Sequence, residues 1–143
     1  VRIKTGGWRD DATGPMQVVS GPLGRQSVHF EAPPADALES ETRRFLTWAN
    51  SESTEPSLIK AGLAHLWFVT IHPFEDGNGR IARAVGDMAL ARAEQSAQRF
   101  YSLSAQIQHE REDYYDRLAA VQKCFGVRQV IRIIIRHGVL RGG

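Results

Sequence analysis

The chain has 143 residues, of which 42% are hydrophobic, enough for one globular domain with a core of its own. Its formal net charge of +2 is unevenly placed, because residues 1–122 hold 13 basic and 16 acidic side chains whereas residues 123–143 hold five basic and no acidic ones. The main body therefore lacks the basic excess that a nucleic-acid-binding domain carries, so no nucleic-acid partner is expected.

Cysteine content and hydropathy bear on where the protein works. The single Cys124 excludes an internal disulfide and provides no zinc-binding set. The apolar stretches are too short, or too often interrupted by charge, for a transmembrane segment, and the N-terminus shows no secretory signal. We therefore take a cytoplasmic location as the starting expectation. Val1 is not an initiator methionine, which indicates a fragment or a processed product.

The first predicted elements are two short strands. Residues 1–15 are rich in glycine, aspartate and threonine and predict an irregular lead-in. Extended segments follow over residues 16–20 and 26–31, where Val28 and Phe30 alternate with polar neighbours, so a β-hairpin is predicted over residues 16–31. A two-stranded hairpin is too small to fold alone, so we expect it to lie on helices.

Helical patterns fill most of the remaining chain. The predicted helices run from Asp36 to Asn50, from Leu58 to Ile71, from Arg80 to Glu94 and from Ala105 to Lys123, with Ser104 as the cap of the last. The second helix is apolar on most of its circumference, which predicts the buried centre of a small bundle. The overall pattern predicts a mainly α fold, a compact helical bundle with a small β-hairpin.

Two of these helices allow finer predictions. On the first, Leu38, Phe45, Leu46 and Ala49 form the predicted apolar face, with Trp48 at its flank. On the third, Gly86 and several alanines indicate close packing against a neighbouring helix. The buried residues predicted for the second helix are Leu58, Ile59, Ala61, Leu63, Ala64, Leu66, Trp67, Phe68, Val69 and Ile71.

The C-terminal tail, residues 123–143, has a pattern of its own. Arg128, Arg132 and Arg136 recur every four residues on an otherwise apolar segment. Our first choice is that the tail packs as the last helix of the core with its arginines in water. The second alternative is a membrane-surface helix or a contact with a partner. A tail altered by a reading-frame change is the third alternative.

Between the second and third helices lies the stretch His72-Pro73-Phe74-Glu75-Asp76-Gly77-Asn78-Gly79-Arg80, continued by Ile81-Ala82-Arg83. Gly77 and Gly79 allow the loop to turn its amides toward a ligand, and the helix that starts there adds unpaired N–H groups and the positive end of its dipole. Arg80 and Arg83 are three residues apart and share one helix face. Together these features predict a binding site for phosphates.

The same stretch supplies further chemistry. Asp76 is a hard oxygen ligand of the kind a phosphate-bound magnesium ion needs, and Glu75 is its alternative. His72 is the neighbour that could take a proton near neutral pH. Each feature alone has an ordinary interpretation: a packing histidine, a turn or a solvated arginine face. An EF-hand lacks its later oxygen ligands here, and a phosphate-binding P-loop lacks its Gly-Lys-Ser/Thr.

Residues 72–83 resemble the signature of the Fic family, His-x-Phe-x-(Asp/Glu)-Gly-Asn-Gly-Arg-x-x-Arg, at every fixed position. The resemblance implies a Fic-type helical bundle with a hairpin flap over residues 1–122, ahead of the atypical tail. It also implies a protein adenylyltransferase, which moves AMP from ATP, with Mg²⁺, onto a Ser, Thr or Tyr hydroxyl of a target protein.

The resemblance further implies a role for each residue of the motif. His72 takes the proton of the attacking hydroxyl, and Asp76 holds Mg²⁺ between the phosphates. The groups implied for the phosphate oxygens are the amides of Gly77, Asn78 and Gly79 and the side chains of Arg80 and Arg83.

Two other regions resemble Fic enzymes less specifically. Gly7-Trp8-Arg9 and residues 17–21 are similar to the flap, which in the family covers the nucleotide and pairs with the target by strand addition. Arg111-x-x-Tyr114-Tyr115-x-x-Leu118 is similar to a segment that contacts adenine or ribose together with a later amide residue, although plain packing of Tyr114 and exposure of Gln122 are the alternatives there. The nucleotide contacts implied by these regions are Val18, Val19, Ser20, Gly21, Tyr115 and Gln122.

Regulation and rival functions stay open at this point. Many Fic proteins carry an inhibitory helix, Ser/Thr-x-x-x-Glu-Gly/Asn, whose glutamate pairs with the second motif arginine, here Arg83; we find no such segment and expect it upstream of Val1. The oligomeric state is open, with a homodimer among the alternatives. The rival functions are a Fic-type transferase with another nucleotide-linked donor and a non-catalytic helical interaction module.

Overall fold

The computed structural model describes residues 3–20, 22, 24–52, 55–95 and 102–122. These residues form a helical bundle preceded by a two-stranded antiparallel hairpin, which confirms the predicted mainly α fold. The tail of residues 123–143, with its three alternatives, lies outside the described residues. In chain order the elements are β1 (Gln17–Ser20), β2 (Ser27–Glu31), a 3-10 turn (Ala35–Ala37), α1 (Leu38–Asn50), α2 (Ser57–Ile71), α3 (Asn78–Glu94), α4 (Leu103–His109) and α5 (residues 111–122).

Helix α2 is the centre of the bundle, as its nearly continuous apolar sequence predicts. It packs mainly against α3, and α1 also lies against it. The Trp67 ring is fully buried, with its centroid 5.6 Å from the Phe45 ring and 5.3 Å from the Trp48 ring. Although α2 is strongly apolar, neither it nor another helix in the described ranges is long and apolar enough to cross a membrane.

The predicted buried faces need two corrections. Leu58 and Ile59 are 69% and 52% exposed, because the neighbouring elements bury α2 only from Ala61 onward. On α1, Leu46 is 51% exposed, whereas Trp48 is buried rather than placed at the flank. The buried face of α1 includes Trp48 and leaves Leu46 half exposed, because the Trp67 ring of α2 packs on Trp48.

The last predicted helix is divided in two. The chain leaves helical geometry at Glu110, with φ −111° and ψ 36°, although Tyr114 N still donates to the Glu110 carbonyl at 2.9 Å. The predicted cap is also wrong, because Ser102 Oγ, not that of Ser104, accepts a hydrogen bond from Ala105 N at 3.3 Å. Helices α4 and α5 therefore replace one continuous helix, and Lys123 lies outside the described residues.

Close packing at Gly86 brings α4 against the two central helices. A Cβ atom on Gly86 would lie 2.6 Å from Leu103 Cδ1 and 3.4 Å from His65 Cβ. The glycine predicted to allow close helix packing is therefore the point where α2, α3 and α4 meet.

Candidate active site

The loop between α2 and α3 is set by two residues with positive φ angles. His72 ends α2 in the left-handed region, with φ 52° and ψ 56°, and its N–H donates to the Phe68 carbonyl at 3.2 Å. Gly77 precedes α3 with φ 82°, a conformation that glycine adopts without strain. For a histidine the same region is uncommon, so the surrounding structure must hold His72 in place.

The His72 ring is fixed by a hydrogen bond to the helix that carries it. Its Nδ1 lies 3.1 Å from the Val69 carbonyl oxygen. Because a carbonyl only accepts, Nδ1 carries the ring proton and Nε2 is the nitrogen left to act as a base. Burial lowers the pKa of His72, and the positive charge of Arg9 lowers it further against the opposing effect of the Val69 carbonyl. The ring is therefore neutral at pH 7, as a general base must be.

Asn78 closes the loop from the other end. Its Oδ1 accepts a hydrogen bond from Phe74 N at 3.0 Å, and its Nδ2 donates to Phe74 O at 2.7 Å. The Asn78 residue is 3% exposed, and the Phe74 ring packs on Phe68 with centroids 6.4 Å apart. The side chain of Asn78 thus holds the loop to the core, which leaves its backbone amide as the group available to a ligand.

Replacing Asn78 with alanine is expected to lower the free energy of unfolding by about 2 kcal/mol, because both Phe74 backbone groups lose their partners in a part-buried site. Urea unfolding measures the loss. The matched control is Asn50→Ala, which removes an exposed amide that donates to the Leu46 carbonyl and accepts from Arg92, and it is expected to change stability by less than about 0.5 kcal/mol. Equal losses in the two variants would contradict the closing role.

A pocket of about 310 Å³ lies over this loop. The first amides of α3 have no acceptor within the helix, since Ile81 N is the first to bond back, to Gly77 O at 3.0 Å. Arginine heads lie close to both glycines, because Cβ atoms built there would be 3.5 Å from Arg80 and Arg83 nitrogens. The residues that line the pocket are His72, Glu75, Asp76, Gly77, Asn78, Gly79, Arg80 and Arg83.

The charged side chains of the pocket have weak partners that a ligand can replace. Arg80 Nη2 lies 3.1 Å from Asp76 Oδ2 in a pair whose members are more than half exposed, and such pairs contribute little to stability. Arg83 Nε donates to Ser104 Oγ at 3.1 Å. Both guanidinium groups can therefore exchange these partners for phosphate oxygens.

The carboxylates fit a magnesium ion that arrives with a nucleotide. In the described ranges no three histidine, cysteine, aspartate or glutamate side chains are grouped to hold a metal by themselves. Magnesium often takes only one or two carboxylates and completes its shell with phosphates and water. Glu75 Oε2 accepts a hydrogen bond from Lys4 N at 2.6 Å, and Asp76 Oδ2 pairs with Arg80. Each carboxylate thus has one partner, and Asp76 stays the predicted ligand with Glu75 as its alternative.

A second, larger pocket of about 950 Å³ lies between α1, α2 and α3. Its lining includes Phe45, Leu46, Phe68 and Met88, and it contains none of the residues predicted to bind or react. The smaller pocket is therefore the candidate site, because its lining residues can bind phosphates and accept a proton, whereas the larger pocket contains no residue predicted to do so.

Comparison with known proteins identifies the family. A family model described as the Fic/DOC family matches residues 2–90, more than half of the chain. The chain belongs to the Fic/DOC family. The matched region includes the lead-in, the hairpin, α1, α2 and the complete 72–83 motif, so the family resemblance of the sequence is confirmed.

Among curated Fic relatives, the chain is 35% identical over 114 residues to "Protein adenylyltransferase Fic" of Nematostella vectensis, covering 76% of this chain and 25% of that protein. It is 45% identical over 67 residues to the protein of the same name from Drosophila sechellia, covering 46% and 13%. It is 36% identical over 69 residues to "Protein adenylyltransferase and cysteine protease IbpA" of Histophilus somni, covering 48% and 2%. The chain thus spans a quarter or less of these relatives.

Solved structures agree on the fold. A Fic domain containing signaling protein from Bacteroides thetaiotaomicron superposes with a TM-score of 0.67 at 21% identity, covering 92% of this chain and 49% of that one. A Fic family protein from Desulfovibrio desulfuricans gives a TM-score of 0.63 at 28% identity, covering 96% and 41%. The predicted Fic-type helical bundle with a hairpin is therefore confirmed.

The remaining predicted nucleotide contacts that the structure describes do not line the pocket of the Fic motif. Val18 and Val19 are partly exposed on β1, where Val18 pairs with Phe30 and Val19 with Val28 across a bulge. The backbone of Ser20 ends the same strand, and Gly21 lies outside the described residues. None of the described members of this set lines the pocket, so their nucleotide role stays a prediction.

The two candidates on α5 have different surroundings. Tyr115 is half exposed, and its ring lies 5.1 Å from that of Tyr114, with the Arg111 guanidinium 5.9 Å from the ring centre. Gln122 is buried. The alternative to nucleotide binding, an exposed side chain, is therefore wrong. Neither lines the pocket, so both also stay predictions.

His65 is a structural residue, as its place in the buried helix predicts. Its Nε2 lies 2.8 Å from the Tyr114 hydroxyl, which ties α2 to α5. Burial raises the pKa of Tyr114 to about 12 and lowers that of His65. This hydrogen bond therefore joins two neutral groups at pH 7.

Lowering the pH below 6.5 is expected to reduce the free energy of unfolding. Burial lowers the pKa of both His65 and His72 from 6.5, so the unfolded chain takes up these protons more readily than the folded one. The contribution of the two neutral histidines to the free energy of unfolding is complete above pH 6.5. It is lost as the pH falls toward the lower pKa values that these histidines have in the folded protein. The urea midpoint should be lower at about pH 5.5 than at about pH 8. The control variant His109→Asn replaces an exposed histidine and should show the same difference in urea midpoint between the two pH values. Equal midpoints at the two pH values in the wild type would contradict the prediction.

Proposed function

We propose that this chain is a protein adenylyltransferase domain, which transfers AMP from Mg-ATP to a hydroxyl side chain of a target protein. One observation carries the proposal: a single pocket joins a histidine whose Nε2 is free of the ring proton to a loop with amides and two arginines suited to phosphates. Relatives named protein adenylyltransferase support the same reaction. Because the chain spans a quarter or less of these relatives, the activity of the whole protein is part of the proposal.

The base in this reaction is His72. Its Nε2 takes the proton of the target hydroxyl as the hydroxyl oxygen attacks the α-phosphorus of ATP. A new phosphodiester bond forms, the bond from the α-phosphorus to the oxygen bridging to the β-phosphate breaks, and pyrophosphate leaves. The neutral ring, kept so by burial, is ready for this step at pH 7 without prior loss of a proton.

The phosphates are the part of ATP that the pocket recognises. The amides at the start of α3 offer hydrogen bonds to phosphate oxygens, and the positive end of the helix dipole favours their charge. Arg80 and Arg83 stabilise the charge that develops on the leaving pyrophosphate. Magnesium, bound to the nucleotide and held by Asp76, would neutralise part of the phosphate charge.

The hairpin is the proposed docking element for the target protein. In the described part of the chain the sheet has two strands, so each strand has one edge without a neighbouring strand. Val19 and Val28 are paired across the sheet and exposed. An extended target segment could add to such an edge through main-chain hydrogen bonds.

The test uses two forms of labelled ATP in parallel. The purified chain is incubated with Mg²⁺, a cell lysate as a source of hydroxyl acceptors, and ATP labelled at either the α- or the γ-phosphate. Compared with the lysate alone, AMP transfer by the chain adds label to protein from α-labelled ATP and adds none from γ-labelled ATP, and self-labelling of the chain counts equally. Binding of Mg-ATP is measured separately by calorimetry.

The other outcomes separate the rival functions. Label from γ-labelled ATP that depends on the added chain would indicate phosphoryl transfer and contradict the proposal. Binding of Mg-ATP without labelling would favour another nucleotide-linked donor, and the same assay would be repeated with labelled GTP, UTP, CTP and CDP-choline. The motif pocket is suited to phosphates, so the choice of base would depend on other residues. An absence of both binding and labelling would favour the non-catalytic interaction module.

A further inference from the structure

Arg9 is a buried cation outside the motif, and no part of the proposed reaction uses it. The residue is 3% exposed. Its Nε donates to the His72 carbonyl oxygen at 2.7 Å, and its backbone N–H donates to the Pro73 carbonyl oxygen at 2.9 Å. One residue of the lead-in therefore holds the carbonyl group of the proposed base and that of the next residue.

The opposite side of the guanidinium is held as firmly. Arg9 Nη1 lies 3.0 Å from Asp11 Oδ1, and Nη2 donates to the Pro33 carbonyl oxygen at the exit of the hairpin. Asp11 Oδ2 in turn accepts a hydrogen bond from Ala35 N at 2.6 Å, at the first helical turn. Arg9 is thus fixed to two segments, so it can act as an anchor for a third.

The backbone of His72 needs such an anchor. Its left-handed conformation is uncommon for a residue other than glycine and persists only where the surroundings impose it. Val69 fixes the ring through Nδ1, but the direction in which the ring leaves the chain depends on the backbone that Arg9 holds. A shift of about 1 Å in a reacting group can lower a rate about 100-fold.

We propose that Arg9 is a positioning residue, which holds the His72 backbone so that Nε2 points at the reacting hydroxyl. The inference rests on the proposed transferase function, because it assigns Arg9 to the same site. Arginine suits this position better than lysine, since its planar fork offers donors in several fixed directions to three different acceptors. The charge has a second consequence, since it also lowers the pKa of His72.

The test compares Arg9→Lys and Arg9→Met with the wild type. Arg9→Lys keeps the charge and loses the fork, so kcat is expected to fall about tenfold with the pH profile unchanged. Arg9→Met loses both, so kcat is expected to fall about 100-fold and the pKa on the acid side of the pH–rate profile should rise. The KM for ATP should stay the same, because Arg9 does not line the phosphate pocket.

The matched control is Asp11→Asn. The asparagine keeps a side-chain oxygen that can accept from Arg9 Nη1 and loses the charge, and the contact from Arg9 to His72 is left in place, so kcat and the pH profile should stay close to the wild type. A merely structural role of Arg9 predicts that all three variants reduce the folded fraction alike, with kcat per folded molecule and the pH profile as in the wild type. The groups Glu75, Asp76, Arg80 and Arg83, which share the pocket with His72, are present in every variant.

A readout without catalysis keeps this inference separate from the proposed function. The His72 ring is titrated by NMR in each protein, and Arg9→Met should raise its pKa and shift its ring signals. If the wild type transfers no AMP, the proposed function fails while the titration still tests the anchoring. Wild-type kcat and wild-type His72 signals in both Arg9 variants would overturn the inference, and so would failure of both variants to fold.

Discussion

His72→Ala is expected to lower the rate of AMP transfer about 1,000-fold, while the affinity for Mg-ATP changes by less than about twofold. The variant removes the nitrogen that takes the hydroxyl proton. It leaves the amides at the start of α3 and both motif arginines, which line the same pocket, in place. The measurement is label transfer from α-labelled ATP at saturating nucleotide, with calorimetry for binding.

The control for this variant is His109→Ala, which removes an exposed histidine of α4 far from the motif in sequence. It should transfer AMP at the wild-type rate. The wild-type rate should rise with pH only up to a pKa below 6.5 and then stay level through pH 7, because burial lowers the pKa of His72. A His72→Ala protein that still labels its target at the wild-type rate would remove the base assignment.

Leu38→Ala is expected to lower the free energy of unfolding by about 3 kcal/mol. Leu38 is fully buried at the start of α1 and belongs to the main core cluster, so its removal leaves a cavity among close-packed neighbours. Urea unfolding followed by circular dichroism gives the difference. A loss of this size is a large part of the stability of a small domain.

The same helix supplies a matched control in Leu46→Ala. The sequence pattern places both leucines on one apolar face, but Leu46 is 51% exposed. Its substitution is expected to change the free energy of unfolding by less than about 0.5 kcal/mol. Similar losses at the two positions would show that the sequence pattern, and not the structure, has the correct buried face.

The motif site could be predicted from sequence because it is local. All the residues that line the pocket lie within residues 72–83, and the two hydrogen bonds by which Asn78 closes the loop join it to Phe74, four residues earlier. A turn with two glycines followed by a helix places its amides and arginines on one side of the helix start. The catalytic and binding roles of these residues are implied by the family resemblance and stay predictions.

Other features depend on contacts that no local pattern reveals. Arg9 lies 63 positions before His72, and in the sequence it is one charged residue in an irregular lead-in whose resemblance points only to the flap. The choice between Leu46 and Trp48 on α1 depends on which of them meets the rings of α2. The break between α4 and α5 at Glu110 is a change in backbone dihedral angles. The sequence there contains no glycine or proline, the residues from which a helix break can be predicted.

The attachment of the lead-in to the base has a consequence for how the protein loses activity. Helices α1, α2 and α3 follow one another in the chain and pack in that order, whereas the Arg9–His72 bond joins distant parts of the sequence. Contacts of high sequence separation form late in folding, and segments with little buried surface open first under mild denaturant. Turnover should therefore decline at a lower urea concentration than helical circular dichroism, so a sample can be fully helical and already inactive.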